Sequence, residues 1–157
     1  MSAVMMLHYE NKLAKLVREP GGLKVSVALE QAEENLESVR DECLIAVDER
    51  LAEIERLHRS SPKQPNDEIV EQIYRAANDI HGLAGVFDLS ELGDAAFSLC
   101  ELVDRLRTTG RWNGASIEVH LFALRLLRHP DEHADRAAIL EGLRQVTDRV
   151  PKQVSED

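Results

Sequence analysis

The segment from Leu23 to Arg59 carries the longest uninterrupted helical pattern in the chain, without a proline or glycine to break it. Apolar or small residues recur in it at alternating intervals of three and four: Leu29, Ala32, Leu36, Val39, Cys43 and Ala46. Such spacing predicts a helix whose seam packs against another helix. Because a helix of this length spans about 50 Å, its neighbours in a compact bundle cannot cover it all. Its first half must therefore pack on an N-terminal helix, on the C-terminal helix or on a second copy of the chain.

The other apolar patterns are also helical, and none shows the alternation of a strand. A short amphipathic helix is predicted before Pro20-Gly21-Gly22, and the Ser60 to Asn66 segment is predicted to be a loop. Further helices are expected to end near Phe87, near Thr109, near Arg128 and near Val150. The sequence thus predicts an all-α protein with an N-terminal helix and breaker in residues 1–22, a helical bundle in 23–150 and a frayed tail in 151–157.

Charge and hydropathy restrict the classes of partner. The formal net charge of −10 disfavours binding to nucleic acid or to an anionic membrane surface. No apolar run approaches the length of a membrane span, and the N-terminus lacks the pattern of a signal peptide. We therefore expect a cytoplasmic protein whose partners are other proteins.

Several kinds of chemistry are disfavoured by the residue pattern. Cys43 and Cys100 lie at apolar helical positions and are predicted to act as small hydrophobic residues. Pro130 disturbs the helical register between His129 and His133, which argues against a metal site there. A nucleotide-binding glycine loop is missing from the sequence, so a built-in kinase or ATPase site is not expected.

One histidine stands among unusually small neighbours. Its helix has a regular apolar stripe formed by Ile69, Ile73, Ala76, Ile80, Leu83 and Phe87. His81 falls about 120° from the centre of that stripe, on the side expected to face solvent. Ala77, Asn78, Ala84 and Gly85 lie one turn away, and they predict an uncharged surface of low relief around the imidazole.

An exposed imidazole in such a surface suits nucleophilic chemistry. A neutral imidazole is a competent nucleophile near pH 7 and can carry a covalent intermediate such as a phosphoryl group. Gly85 makes sense if another molecule must approach the ring closely. The simpler interpretation is a half-buried surface histidine between small residues, and spacing alone leaves both open.

The run His81-Gly82-Leu83-Ala84-Gly85, with the leucine-rich helix that follows it, resembles the histidine-containing phosphotransfer (HPt) domain family. The resemblance covers residues 23–127. It implies an antiparallel four-helix bundle, here with an additional N-terminal helix and C-terminal helix. It also implies that His81 accepts a phosphoryl group from a receiver-domain aspartate and passes it on, with Leu83 as a core anchor and Gly85 admitting the receiver.

The resemblance further implies a carrier of a two-component phosphorelay that has no kinase activity of its own. Its partners would be a response-regulator receiver domain or a hybrid histidine kinase, docking on the Ala77, Asn78, Ala84 and Gly85 surface. The chain would bind no cofactor itself, since Mg²⁺ is expected on the receiver. The family motif has a lysine where this chain has Ala84, and a few more residues before the next helix.

Two alternatives remain open at this stage. The lysine replacement favours a degenerate HPt-like module that docks on a receiver or kinase without phosphotransfer. A structural helical bundle that dimerises through residues 23–59 is a third possibility, and the N-terminal and long helices are its expected interface.

Overall fold

The computed structural model describes residues 24–61, 63–87, 89–129 and 135–151, and every regular element in these ranges is an α-helix. The five helices are α1 (Val25–Ser60), α2 (Asp67–Val86), α3 (Ser90–Thr109), α4 (Gly114–Arg128) and α5 (Arg136–Asp148). The prediction of an all-α protein is therefore confirmed for this part of the chain. The helix expected in residues 1–22 and the tail after Pro151 lie outside the described residues.

The chain divides into two units, Met1–Val39 and Arg40–Asp157, which are described separately. In the described part of the first unit, the start of α1 leaves Val25, Leu29, Leu36 and Val39 exposed. The second unit contains the hydrophobic core, to which the later part of α1 and the other four helices contribute. Its largest inaccessible side chains include Ile54, Ile73, Ile80, Leu92, Leu99, Leu102, Ile117 and Leu124.

Local sequence signals set the helix ends. Asn66 caps α2, because its side chain accepts a hydrogen bond from the Ile69 amide. Gly110 ends α3 in the left-handed conformation, with φ 64°, which glycine adopts without steric cost. Asn113 and Asp135 cap α4 and α5 in the same way as Asn66. The residues between these helices therefore determine where each helix begins or ends.

Helix α3 is the central element of the second unit, since it packs against α2, α4 and α5. Helix α4 is apolar all round in sequence, yet Val119 and Phe122 remain exposed on its outer side. An apolar pattern all round a helix predicts burial on every side. For α4 this prediction is wrong, because α3 and α5 pack on only part of its circumference. None of the described helices is long and apolar enough to cross a membrane.

A buried arginine fixes the end of α5 to α3. Arg105, only 6% exposed, donates to the carbonyl oxygens of Thr147 at 2.7 Å and Val150 at 3.1 Å. Its guanidinium also pairs with Glu101 at 2.7 Å and with Asp148 at 3.1 Å. The Thr147 carbonyl also accepts from the Val150 amide at 3.0 Å, so Arg105 adds a second donor there and supplies a donor to the Val150 carbonyl.

A second polar cluster joins three helices beside the same contact. His120 of α4 is fully buried, and its Nδ1 donates to the Ser116 carbonyl at 2.8 Å. Its Nε2 therefore accepts, from Ser98 Oγ of α3 at 3.0 Å or Thr147 Oγ1 of α5 at 3.3 Å. Burial lowers the pKa of His120, and the Ser116 hydrogen bond offsets this only in part.

We predict that Arg105→Met lowers the free energy of unfolding by about 1–3 kcal/mol, because the buried hydrogen bonds to the Thr147 and Val150 carbonyls are lost. Chemical denaturation would measure the loss. Arg107→Met, which removes an exposed arginine paired with Glu71 at 3.3 Å, is the matched control. It should change stability by less than about 0.5 kcal/mol. Equal losses in both variants would contradict the role given to Arg105.

We also predict that His120 contributes to the loss of folding stability at acidic pH. Its folded pKa is lowered, so the unfolded chain binds the proton more readily, and stability falls as the pH drops below about 6.5. Below the lowered folded pKa this contribution levels off. His120→Gln should therefore show a shallower fall of Tm between neutral and mildly acidic pH than the native chain. His129→Gln, at an exposed position, should keep the native slope.

Candidate functional site

His81 lies in the last two turns of α2, on the flank away from the core stripe. Ile73, Ala76 and Ile80 of the same helix are buried, whereas the His81 side chain is exposed. This placement agrees with the helical position predicted from the sequence. Leu83 is half-buried and packs against the core cluster.

One nitrogen of the imidazole is held by the neighbouring helix. His81 Nδ1 lies 2.9 Å from the carbonyl oxygen of Gly93 in α3. A carbonyl oxygen only accepts, so Nδ1 must carry the proton and donate it. In the neutral ring the lone pair then resides on Nε2. Within the described ranges Nε2 makes no hydrogen bond. The side chain that carries this nucleophilic nitrogen is exposed.

Gly93 lies where the backbone of α3 approaches α2 closely. A Cβ at this position would lie 3.4 Å from Ala84 Cβ and 3.7 Å from His81 Nδ1. The α3 backbone thus passes close to α2 at the point where both helices carry small residues. Gly93 and Ala84 therefore set how closely the two helix backbones approach. That approach determines the distance between the Gly93 carbonyl and the His81 imidazole.

This packing changes the predicted docking surface. Ala77 and Ala84 are fully buried, so the prediction that they form part of an accessible patch is wrong. Ala84 is in contact range of Gly93 of α3, which packs against α2. Asn78 and Gly85 are exposed as predicted. Two of the four small residues therefore serve helix packing.

Phe97 completes the surroundings of His81, and sequence reasoning missed it. Its ring centroid lies 5.5 Å from that of the imidazole, with the planes tilted by 46°. Phe97 is nevertheless 55% exposed, and Val86 near the end of α2 is also exposed. Phe97 lies outside the regular leucine stripe of α3. An aromatic residue on the polar face of this helix is the sequence feature that could have identified it. On α2, open space lies above Gly82 and Gly85, where a Cβ would meet nothing within 4 Å.

The charged residue closest in sequence to His81 is already paired. Asp79, two residues before it, forms an ion pair with Arg50 of α1 at 3.2 Å. The position of the family's motif lysine is the buried Ala84. No described lysine or arginine is hydrogen-bonded to His81.

Other reactive groups in the described ranges do not form a second chemical site with His81. Burial raises the pKa of the Cys100 thiol to about 11, so this cysteine stays protonated and is a poor nucleophile. The described residues contain no group of three or more His, Cys, Asp or Glu side chains that could hold a metal ion. Asp131, Glu132 and His133 lie outside the described residues.

Comparison with known proteins found no protein-family model that matches the chain and no curated protein with significant similarity to it.

We predict that neutral His81 exists as a single tautomer with the proton on Nδ1. Nitrogen-15 NMR at mildly alkaline pH should show a protonated Nδ1 and an unprotonated Nε2, because only Nδ1 faces the Gly93 carbonyl. The His81→Gln variant identifies the signals by their loss. Two nitrogens with averaged chemical shifts would show that the Gly93 contact does not persist in solution.

Proposed function

We propose that this protein is a histidine phosphotransfer protein of a two-component phosphorelay, with His81 as the phosphoacceptor. The observation that carries this proposal is the state of the His81 ring. Its Nδ1 is anchored to the Gly93 carbonyl, which leaves Nε2 as the free nucleophile of an exposed side chain. A carrier without its own kinase or ATPase site needs such a nitrogen and an accessible surface around it.

The arrangement of helices supports an HPt-like, antiparallel four-helix bundle. Helix α2 packs on α3 and α3 on α4. Ion pairs join α1 to the other two ends of this series. Arg50 of α1 pairs with Asp79 of α2 at 3.2 Å, and Asp48 of α1 pairs with Arg128 of α4 at 2.9 Å. A further pair joins Glu55 of α1 to Arg125 of α4. The Arg40–Ser60 part of α1 would then be the first helix of the bundle, and α5 an addition to it.

The proposed step transfers a phosphoryl group between two side chains. Nε2 attacks the phosphorus of an aspartyl phosphate on the receiver, the N–P bond forms, and the P–O bond to the aspartate breaks to release its carboxylate. The imidazole keeps its Nδ1 proton and becomes positively charged. The Gly93 carbonyl stabilises this charge through the hydrogen bond that already exists, and no rearrangement of the ring is needed. The reverse step hands the phosphoryl group to a second receiver.

The partner fits the surface that α2 and α3 form around His81. Gly82 and Gly85 leave space for close approach of another backbone, and Phe97 offers an exposed apolar contact beside the ring. Asn78, also exposed, extends this surface one turn earlier. A receiver domain would supply the aspartate together with Mg²⁺ and positive charge for the transferred phosphoryl group, since no described lysine or arginine is hydrogen-bonded to His81.

The second candidate function is a degenerate docking module that binds a receiver or a hybrid kinase without phosphotransfer. The observation that favours it is Ala84. This position carries no charge and is closed by α3, so the chain provides no cation there. Such a module would use the same surface around His81, and its binding would not depend on the imidazole.

We predict that phosphorylated receiver domains from the same organism transfer labelled phosphate to the native chain. His81→Gln should accept none, because it removes the only nitrogen proposed to react. His129→Gln, which removes another exposed histidine, should be labelled like the native chain. The label should be acid-labile and stable to base, as expected for a phosphoramidate.

Binding measurements on the same receivers separate the two candidates. If no receiver labels the native chain although one binds it, and His81→Gln binds with the same affinity, the docking module is correct and phosphotransfer is excluded. Label that persists in His81→Gln would place the reaction on another residue.

A further inference from the structure

A cavity lies at the end of α3, between the loop that follows this helix and the end of α5. Its volume is about 710 Å³, which is within the range of cavities that hold small molecules. Its apolar lining includes Leu106 and Val150, and Arg111, Trp112 and Arg149 also line it. The cavity therefore combines a hydrophobic surface and an aromatic ring with two cationic side chains.

Hydrogen bonds hold both sides of the cavity in place. The Gln64 side chain donates to the Gly110 carbonyl at 3.3 Å and accepts from the Trp112 amide at 3.2 Å. On the α5 side, the buried Arg105 donates to the Val150 carbonyl at 3.1 Å. A site whose walls are already fixed loses little conformational entropy when a ligand binds.

The charge of the cavity is opposite to that of the chain. The net charge of the chain is −10, yet the described residues that line the cavity include no Asp or Glu. Most of the other described arginines are paired with a carboxylate, as Arg50, Arg107 and Arg128 are. The side chains of Arg111 and Arg149 make neither an ion pair nor a hydrogen bond within the described ranges. Two unpaired positive charges thus meet at one cavity of an acidic protein.

The other polar groups of the cavity wall mainly have donors to offer. Asn113 accepts from the Ser116 amide at 3.2 Å through its side-chain oxygen, which leaves its NH₂ group available. The Thr109 hydroxyl already donates to carbonyl oxygens of its own helix. The indole N–H of Trp112 makes no hydrogen bond to any residue that the structure describes. A matching ligand must therefore present acceptors, and negatively charged acceptors suit the two guanidinium groups.

A phosphate monoester fits these groups better than a single carboxylate does. It carries close to two negative charges at neutral pH and has three terminal oxygens. Arginine binds phosphate oxygens through two parallel N–H···O bonds, so Arg111 and Arg149 together balance the dianion. Trp112 and the apolar residues beside it provide a surface on which an aromatic ring can pack.

We propose that this cavity binds a small molecule that carries an aromatic ring and a phosphate monoester group. Arg111 and Arg149 pair with the phosphate, and Trp112 contacts the ring. Leu106 of the cavity lies about 20 Å along α3 from Gly93, at 1.5 Å per residue. The cavity shares no residue with the His81 surface, so it is independent of the proposed phosphotransfer, and either can fail while the other holds.

Trp112 is the single tryptophan of the chain, so its fluorescence reports directly on this cavity. Phenyl phosphate and adenosine monophosphate are titrated into the full chain at mildly alkaline pH, where the phosphate is a dianion. At least one of them should change the emission saturably, with a dissociation constant of about 1 mM or below. No saturable change with either compound would overturn the proposal.

Inorganic phosphate and benzyl alcohol test the two parts of the ligand separately. Each should bind at least about tenfold more weakly than the better aromatic phosphate, because each makes only part of the contacts. Inorganic phosphate that binds equally well would overturn the contact of the ring with Trp112. Benzyl alcohol that binds equally well would overturn the role of the two arginines.

Charge variants test the cavity residues. Arg111→Gln and Arg149→Gln should each raise the dissociation constant by about tenfold, because each removes one charge-assisted pair. Arg56→Gln removes an exposed arginine of α1 that does not line the cavity, so it should leave the dissociation constant near the native value. Equal effects of all three variants would mean that net charge alone attracts the phosphate, which contradicts a specific site. Far-ultraviolet circular dichroism confirms that each variant keeps its helices.

Nitrogen-15 NMR of the native chain locates the bound compound. The changes in backbone amide shift should be concentrated in residues 106–113 and 149–150, on the two sides of the cavity. Changes centred on His81 would place the phosphate at the surface of α2 and α3 and overturn its assignment to this cavity.

Discussion

The hydrogen bond between His81 Nδ1 and the Gly93 carbonyl depends on how closely two helices approach each other. At the crossing, α2 contributes Ala84 and α3 contributes a glycine, so a Cβ on Gly93 would already lie within 3.4 Å of Ala84. A Cβ at this distance makes ordinary van der Waals contact, so alanine fits at position 93, whereas a longer side chain at either position would separate the backbones and move the carbonyl away from the imidazole. The chemistry available to His81 is therefore a consequence of packing between small residues rather than of a polar side chain placed to orient the ring.

The support for this crossing comes from the opposite side of α3. Gly93 and Cys100 lie toward α2, since the Cys100 thiol contacts the Tyr74 carbonyl at 3.8 Å. Ser98 and Arg105 lie toward α4 and α5, where they meet His120 and the end of α5. A helix held by polar contacts on one side and by close backbone packing on the other has little freedom to rotate. The carbonyl that faces His81 is thus held by interactions distributed along the whole of α3.

Sequence reasoning predicted the described helices and the exposure of His81, because each depends on residues within a few positions of one another. It failed for Ala77 and Ala84, since a small residue fits equally well in an open surface and under a closely packed helix. It also missed Phe97 and Gly93, whose importance arises only when α3 lies against α2. His120 gave no local signal either, because its partners Ser98 and Thr147 are 22 and 27 residues away.

By itself, the sequence determined which segments are helical, which faces of those helices are apolar, and which histidine lies outside an apolar face. Periodicity fixes these properties because side chains three or four positions apart share one side of a helix. Only the tertiary structure decided which nitrogen of His81 is held, which neighbours of that ring are accessible and which small residues are covered. These properties depend on the distance between helices, and that distance is set by side chains remote from each other in the chain.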